Sequence, residues 1–171
     1  EEVAPLEIFQ QRLRASLAQH RVAQRATQPV QHGSGAKEAL FLHEQGVPFE
    51  IVPGIPVAIG ATAYAGVPLT YPEAGDALVL VRGHEDEAGR VPDLDWEGLS
   101  RLDGTWACYA AGRLVPAILH QLVEHGVPGD SPAALVFNGT EPTQRTISGT
   151  IGEILEATTT TPPTDAALIV V

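Results

Sequence analysis

The sequence predicts an α/β fold built on a largely buried sheet. Short apolar runs of the kind buried strands show recur along the chain as "DALVLVRG", "TWACYA", "PAALVF" and "AALIVV". Segments with helical spacing alternate with them, and Gly or Pro punctuates the boundaries. The composition agrees, with 44% hydrophobic and 18% charged residues, and 171 residues are enough to bury a real core.

Taken in order, residues 5–21 place Ile8, Leu13 and Leu17 at roughly helical spacing and predict an amphipathic helix. Pro29, Gly33 and Gly35 mark 22–35 as a loop. Residues 36–46 form a short helix stopped by Gly46, and "VPFEIVPG", 47–54, a brief strand closed by Pro-Gly. "IPVAIGATAYAG", 55–66, is small and apolar throughout, which predicts a buried helix packed closely on its neighbours. A strand at 76–83 leads into the charged loop "HEDEAGRVPD". "DLDWEGLSRLDG", 93–104, opens on an Asp cap and forms a short helix. Then follow a strand at 105–110, a helix at 112–126 stopped by Gly126, and a strand at 132–137. "QRTISG" is a strand, "TIGEILEA" a helix, "TTTTPPT" a linker and "AALIVV" a last strand.

Charge and residue usage exclude several functions. The net charge is −11 and Lys37 is the one lysine, so the concentrated basic patch that tracks phosphates is missing and nucleic acid is not an expected partner. No apolar run approaches the ~18 residues a membrane span needs. Cys108 has no second cysteine to pair with, which suits a cytoplasmic location. His20, His32, His43, His84, His120 and His125 lack the spacing of a zinc site, and no metal is expected. Cys108 lies in a strand and reads as a small buried hydrophobe rather than a nucleophile. "HGSG" lacks the rest of a phosphate loop.

One polar stretch remains, "NGTEPTQRTISGT", 138–150, directly after an apolar strand. Its "NGT" matches a glycosylation sequon only formally. Gly139 permits a sharp turn or a close ligand approach, and the carboxyl end of a strand is where open α/β sheets bind ligands. A purely structural loop with polar caps is the competing reading.

Several strings in one order carry a resemblance. "GVPFEIVPGIPVAIGATAYAGVPLT" (46–70), "VRGHE" (81–85), "DWEGLSRLDGT" (95–105) and "VFNGTEPTQRTISGT" (136–150) resemble segments of the uroporphyrinogen-III C-methyltransferases, a group of the tetrapyrrole methylases. The resemblance covers nearly the whole chain. It implies a homodimeric, S-adenosyl-L-methionine-dependent enzyme that methylates two ring carbons of uroporphyrinogen III to give precorrin-2, with S-adenosyl-L-homocysteine as product. That reaction leads to sirohaem and cobalamin. It also implies two α/β domains with the cofactor between them. Residues 1–65 would be the back half of an incomplete N-terminal domain, and 66–171 a C-terminal domain with a mixed sheet and flanking helices. The chain is therefore expected to be truncated at its N-terminus and to continue beyond Val171.

The resemblance also implies cofactor positions. The Gly of the family's N-G-T falls on Gly139, and the Met of its Y-M-G on Ala110, after Tyr109. Its Thr-Ala pair after P-G-I becomes Pro56 and Val57, removing a hydroxyl. Its first-domain string G-G-D-P-F-x-F-G-R-G aligns with "ATQPVQHGSG", 26–35, so two glycines become Ala26 and Thr27, an Asp becomes Gln28, and a cofactor contact becomes Gln31. Losing both glycines restricts backbone that the cofactor should approach. The family's proton-handling Asp and Lys fall upstream of Glu1, so no catalytic residue is assigned. A polycarboxylate substrate would need local arginines, for which Arg82, Arg90, Arg113 and Arg145 are candidates. Two competing expectations are a degenerate, non-catalytic binding or dimerisation domain, motivated by the altered 26–35 loop, and a sibling methylase acting on another tetrapyrrole.

Overall fold

The computed structural model describes residues 34–72, 75–83 and 90–171, with side chains from Glu38 onward. The helix expected at 5–21, the loop at 22–35 except Ser34 and Gly35, which are helical, and most of the charged loop at 84–93 lie outside the described residues. The chain divides into two compact units, 1–54 and 55–171. The helix in "IPVAIGATAYAG" thus groups with the second unit.

In the first unit, α1 (Ser34–Glu44) ends as its sequence predicts. Gly46 takes φ 67°, its N–H donates to the His43 carbonyl at 3.0 Å, and the Val47 N–H donates to the Leu42 carbonyl at 2.9 Å. This paired closure satisfies carbonyls that a helix end leaves open, and only glycine adopts it without strain. The following segment corrects the sequence reading, because 47–54 is irregular and not a strand. Pro48 and Pro53 remove two ladder donors from eight residues, and Ile51 and Val52 are exposed.

The second unit is a five-stranded mixed sheet with helices on both faces. Its elements are α2 (Val57–Ala65), β1 (Ala77–Gly83), α3 (Trp96–Ser100), β2 (Gly104–Ala110), a 3₁₀ turn (Gly112–Leu114), α4 (Val115–Glu124), β3 (Pro132–Phe137), β4 (Arg145–Thr150), α5 (Ile151–Thr160) and β5 (Ala167–Val170). The strand order is β1-β2-β5-β3-β4. β1 and β2 are parallel, and every other pairing is antiparallel. The parallel pair needs a long crossover, which α3 and its flanking loops provide. β5 lies at the centre with all four residues buried. The edges are more open than a largely buried sheet would be, since Leu80 of β1 and Ile147 of β4 are exposed.

Strand alternation sorts the core into two faces. One face carries Trp106, Cys108, Ala110, Ala133, Leu135, Phe137, Ala167 and Ile169, packed under Trp96 of α3, the Val115, Ile118, Leu119 and Leu122 stripe of α4, and Ile151 and Ile154 of α5. The other carries Ala107, Ala134, Val136, Leu168 and Val170 beneath Ala58 and Ala61 of α2. The helix caps are local and sequence-written. The cap of α3 is Asp95, two residues beyond the Asp93 on which the expected helix opens, and it accepts from the Gly98 N–H at 2.9 Å. Thr150 and Glu153 form a reciprocal capping box that starts α5.

α5 also runs on where a linker is expected, through Thr158, Thr159 and Thr160. The Thr158 hydroxyl donates to the Ile154 carbonyl at 2.7 Å and that of Thr160 to Glu156 at 3.1 Å. Such back-bonding lets threonine stay helical without leaving its hydroxyl unpaired.

Candidate functional site at the turn after β3

Four residues singled out by the resemblance, Pro56, Val57, Ala110 and Gly139, fall in the second unit. Ala26, Thr27, Gln28 and Gln31 lie outside the described residues.

Pro56 occupies the N-cap position of α2 with φ −58° and ψ 141°, and it supplies no capping side chain. A hydroxyl from the sheet caps the helix instead. The Ala58 N–H donates to the Tyr109 Oη at 2.8 Å, across 51 residues of sequence. Burial pushes the Tyr109 phenol above its ordinary value, with the Ala58 hydrogen bond acting in the opposite direction. The neutral hydroxyl therefore persists through the physiological range. Small residues on both sides let α2 lie close to the sheet, Ala58 and Ala61 from the helix and Ala107 and Ala134 from the strands.

That closeness decides the shape of the Asn138–Thr140 turn. A Cβ at Gly139 would overlap the Ala61 methyl, with the Val57 Cγ1 at 3.8 Å. A Cβ at Gly60 would lie 3.0 Å from the Thr140 Cγ2. Turn and helix thus interlock through two reciprocal pairs, each with a glycine on one side. The absent side chain of Gly139 is accounted for by α2, a reason the sequence alone does not reveal.

The turn is strained as well as tight. Asn138 has φ 49° and Thr140 φ 71°. Asparagine tolerates the left-handed region, whereas a β-branched residue there is a genuine outlier. Such a conformation costs about 1–3 kcal/mol and persists only where its surroundings enforce it. The Glu141 N–H donates to the Asn138 carbonyl at 3.0 Å, and the Thr140 N–H donates to the Gln144 Oε1 at 2.6 Å.

Val57, Tyr109 and Gly139 meet around α2, but the methyl of Ala110 does not. It is buried with the bulky residues on the opposite face of the sheet. Contact with a ligand on the α2 face at position 110 would thus run through the strand's backbone.

The candidate arginines divide. Arg145 stacks over the Phe137 ring, with its Cζ 4.2 Å from the centroid. Arg82 and Arg90 line an open groove of about 900 Å3 together with Asp93 and Asp95, and that groove includes none of Pro56, Val57, Ala110 or Gly139. Arg113 is exposed in the 3₁₀ turn.

Among the described residues no three His, Cys, Asp or Glu side chains converge on a metal-binding point. His125 is bound into a helix end, its Nδ1 2.7 Å from the Gln121 carbonyl, while its own carbonyl accepts from the Ser100 hydroxyl at 2.7 Å. Burial pushes the Cys108 thiol up to about 12, which leaves no thiolate at neutral pH. No described helix is long and apolar enough to cross a membrane.

Comparison with known proteins gives this geometry its context. Residues 11–155 match the family model of the tetrapyrrole (corrin/porphyrin) methylases. The chain is 40% identical over 126 residues to the siroheme synthase of Thiobacillus denitrificans, covering 74% of this chain and 26% of that protein. It is 38% identical over 143 residues to the siroheme synthase of Neisseria meningitidis serogroup C, covering 84% of this chain and 29% of that one. Among solved structures it is similar to the uroporphyrin-III C-methyl transferase of Thermus thermophilus complexed with S-adenyl homocysteine. That match has a TM-score of 0.69 and 26% identity, and it covers 97% of this chain and 72% of the other. The chain belongs to the tetrapyrrole methylase family, and it spans between a quarter and a third of the length of these curated relatives.

Proposed function

We propose that this member of the tetrapyrrole methylases is part of an S-adenosyl-L-methionine-dependent enzyme that C-methylates uroporphyrinogen III to precorrin-2. The observation that carries the reading is the strained Asn138–Thr140 turn, locked onto α2 at the carboxyl end of β3. Backbone outliers held by surrounding structure cluster at ligand sites. Similarity to a structure complexed with S-adenyl homocysteine supplies the ligand's class.

The residues fit such a cofactor by shape and polarity. Val57 and Gly139 are small or apolar, and Ala110 offers only its backbone to this face. Pro56 and Val57 contribute apolar contact, and the half-buried backbone at Gly139 contributes a close approach. When bound, the cofactor supplies an electrophilic methyl to a nucleophilic pyrrole carbon. The chain's share of the work is to align that methyl with the substrate and hold both in place. A homodimer, a cytoplasmic location, and residues 1–65 as the back half of an N-terminal domain with 66–171 as the C-terminal domain belong to the same reading.

Calorimetric titration of the intact protein with S-adenosyl-L-homocysteine tests it. Saturable one-site binding is expected, and the absence of binding overturns the cofactor assignment. Ala26, Thr27, Gln28 and Gln31 favour a second reading, a degenerate module that binds or dimerises without catalysis. Formation of precorrin-2 by the full-length protein would eliminate that alternative.

A further inference from the structure

We infer that Gln144 is a positioning residue for the proposed cofactor turn. Its side-chain amide holds Thr140 in the left-handed conformation and ties the turn to α2. The inference rests on the reading that this turn binds S-adenosyl-L-methionine.

Three observations converge. Thr140 occupies backbone space that a β-branched residue does not choose, at φ 71°. Its N–H is turned toward Gln144, whose Oε1 accepts it at 2.6 Å. The other end of the same amide, Nε2, donates to the Ala61 carbonyl at 3.5 Å, a long contact and the weaker of the two. Ala61 is the residue whose methyl fills the place of a Gly139 side chain. A single neutral amide therefore spans the turn and the helix on which the turn is seated.

The chemistry explains why glutamine suits the position. The site needs an acceptor for the Thr140 N–H and a donor for the Ala61 carbonyl, and a carboxamide offers one of each. Glutamate would keep the acceptor while setting a carboxylate against a carbonyl oxygen. Alanine would provide neither group, and Thr140 could then relax toward ordinary backbone geometry. Relaxation would move Gly139, one residue away, out of its seat.

The experiment compares wild type, Gln144→Ala and Gln144→Glu in the intact protein. It measures the S-adenosyl-L-homocysteine Kd by calorimetry, exchange of the Thr140 amide by NMR, and the thermal midpoint. Gln144→Ala is expected to weaken binding roughly tenfold, on the scale of one hydrogen bond, and to free the Thr140 amide while the midpoint changes little. Gln144→Glu is expected to keep that amide protected yet weaken binding several-fold. Wild-type affinity in Gln144→Ala would overturn the positioning role alone. So would loss of binding that only follows loss of fold in both variants. A wild type that does not bind S-adenosyl-L-homocysteine overturns the cofactor reading itself, and the positioning role with it.

Discussion

The two faces of the sheet in the second unit are built from the same five strands on opposite principles. One is filled with bulk, with Leu119, Leu135, Phe137 and Ile169 all essentially inaccessible and the Trp96 and Trp106 rings 6.3 Å apart. The other sets Ala58 and Ala61 of α2 against Ala107 and Ala134, with only Val136, Leu168 and Val170 as larger buried residues. Burial of large side chains contributes most of the stabilisation available to a core, about 1.5–3 kcal/mol for each Leu, Ile or Phe. An alanine-lined face forgoes much of that gain and obtains short separation instead. The bulky face stabilises the fold, and the thin face brings a helix within contact of a strained turn. The proposed ligand site lies on the thin side, where position matters more than volume.

The largest effect should come from breaking the bulky face. Leu135→Ala is expected to cost about 2–5 kcal/mol in urea denaturation, while the molecules that remain folded bind S-adenosyl-L-homocysteine as wild type does. Equal damage to affinity would show that the two faces are not separable.

Gly139→Ala attacks the thin face and should cost about 1–3 kcal/mol through overpacking against Ala61. It should also weaken S-adenosyl-L-homocysteine binding more than Leu135→Ala does. Adding Ala61→Gly should recover most of both losses, and a double-mutant cycle measures the coupling. No recovery would mean that the glycine serves something other than seating on α2.

A smaller loss, about 1 kcal/mol, is expected for Tyr109→Phe, which leaves the Ala58 N–H without its cap. Faster exchange of that amide would localise the effect to the start of α2.

The smallest effect belongs to Glu153, back on the bulky side. Hydrogen bonds from the Thr150 N–H and hydroxyl hold its carboxyl below the ordinary value of 4.5. A carboxyl whose folded pKa is depressed stabilises the fold above its unfolded pKa and loses that contribution as pH falls through the folded value. The stability difference between wild type and Glu153→Gln should therefore be visible at neutral pH and shrink below about pH 4.5. A difference that stays constant with pH would remove Glu153 as its source.

These two faces were not equally legible in the sequence. The bulky side announces itself, because the Val115, Ile118, Leu119 and Leu122 spacing marks one stripe of a helix and an Asp marks a cap to within two residues. Gly46 and Gly66 likewise end α1 and α2 as glycine in a left-handed cap does. What local pattern does not encode is pairing. "VPFEIVPG" has a strand's composition, but two prolines leave its ladder incomplete, and the threonines after Ala157 remain helical through hydroxyl bonds to carbonyls one turn back. In the site, the turn itself was readable from "NGT". The partner of Gly139 was not, since Ala61 lies 78 residues earlier and nothing in an alanine signals its contact. Tyr109 was passed over for the same reason. A tyrosine in a strand looks like core until the amide it caps is known. The side to which Ala110 points is fixed only by strand register.

β5 has a further consequence for how the protein is made. The last strand in sequence lies in the middle of the sheet, hydrogen-bonded to β2 on one side and β3 on the other. During synthesis the chain emerges N-terminus first, so the β1-β2 and β3-β4 pairs form before the strand that joins them exists. Each pair then presents an open edge, the arrangement most prone to wrong partners. The sheet closes only when Ala167–Val170 slots between them, and deleting that strand would leave the two ribbons joined only through the side chains packed under α4 and α5.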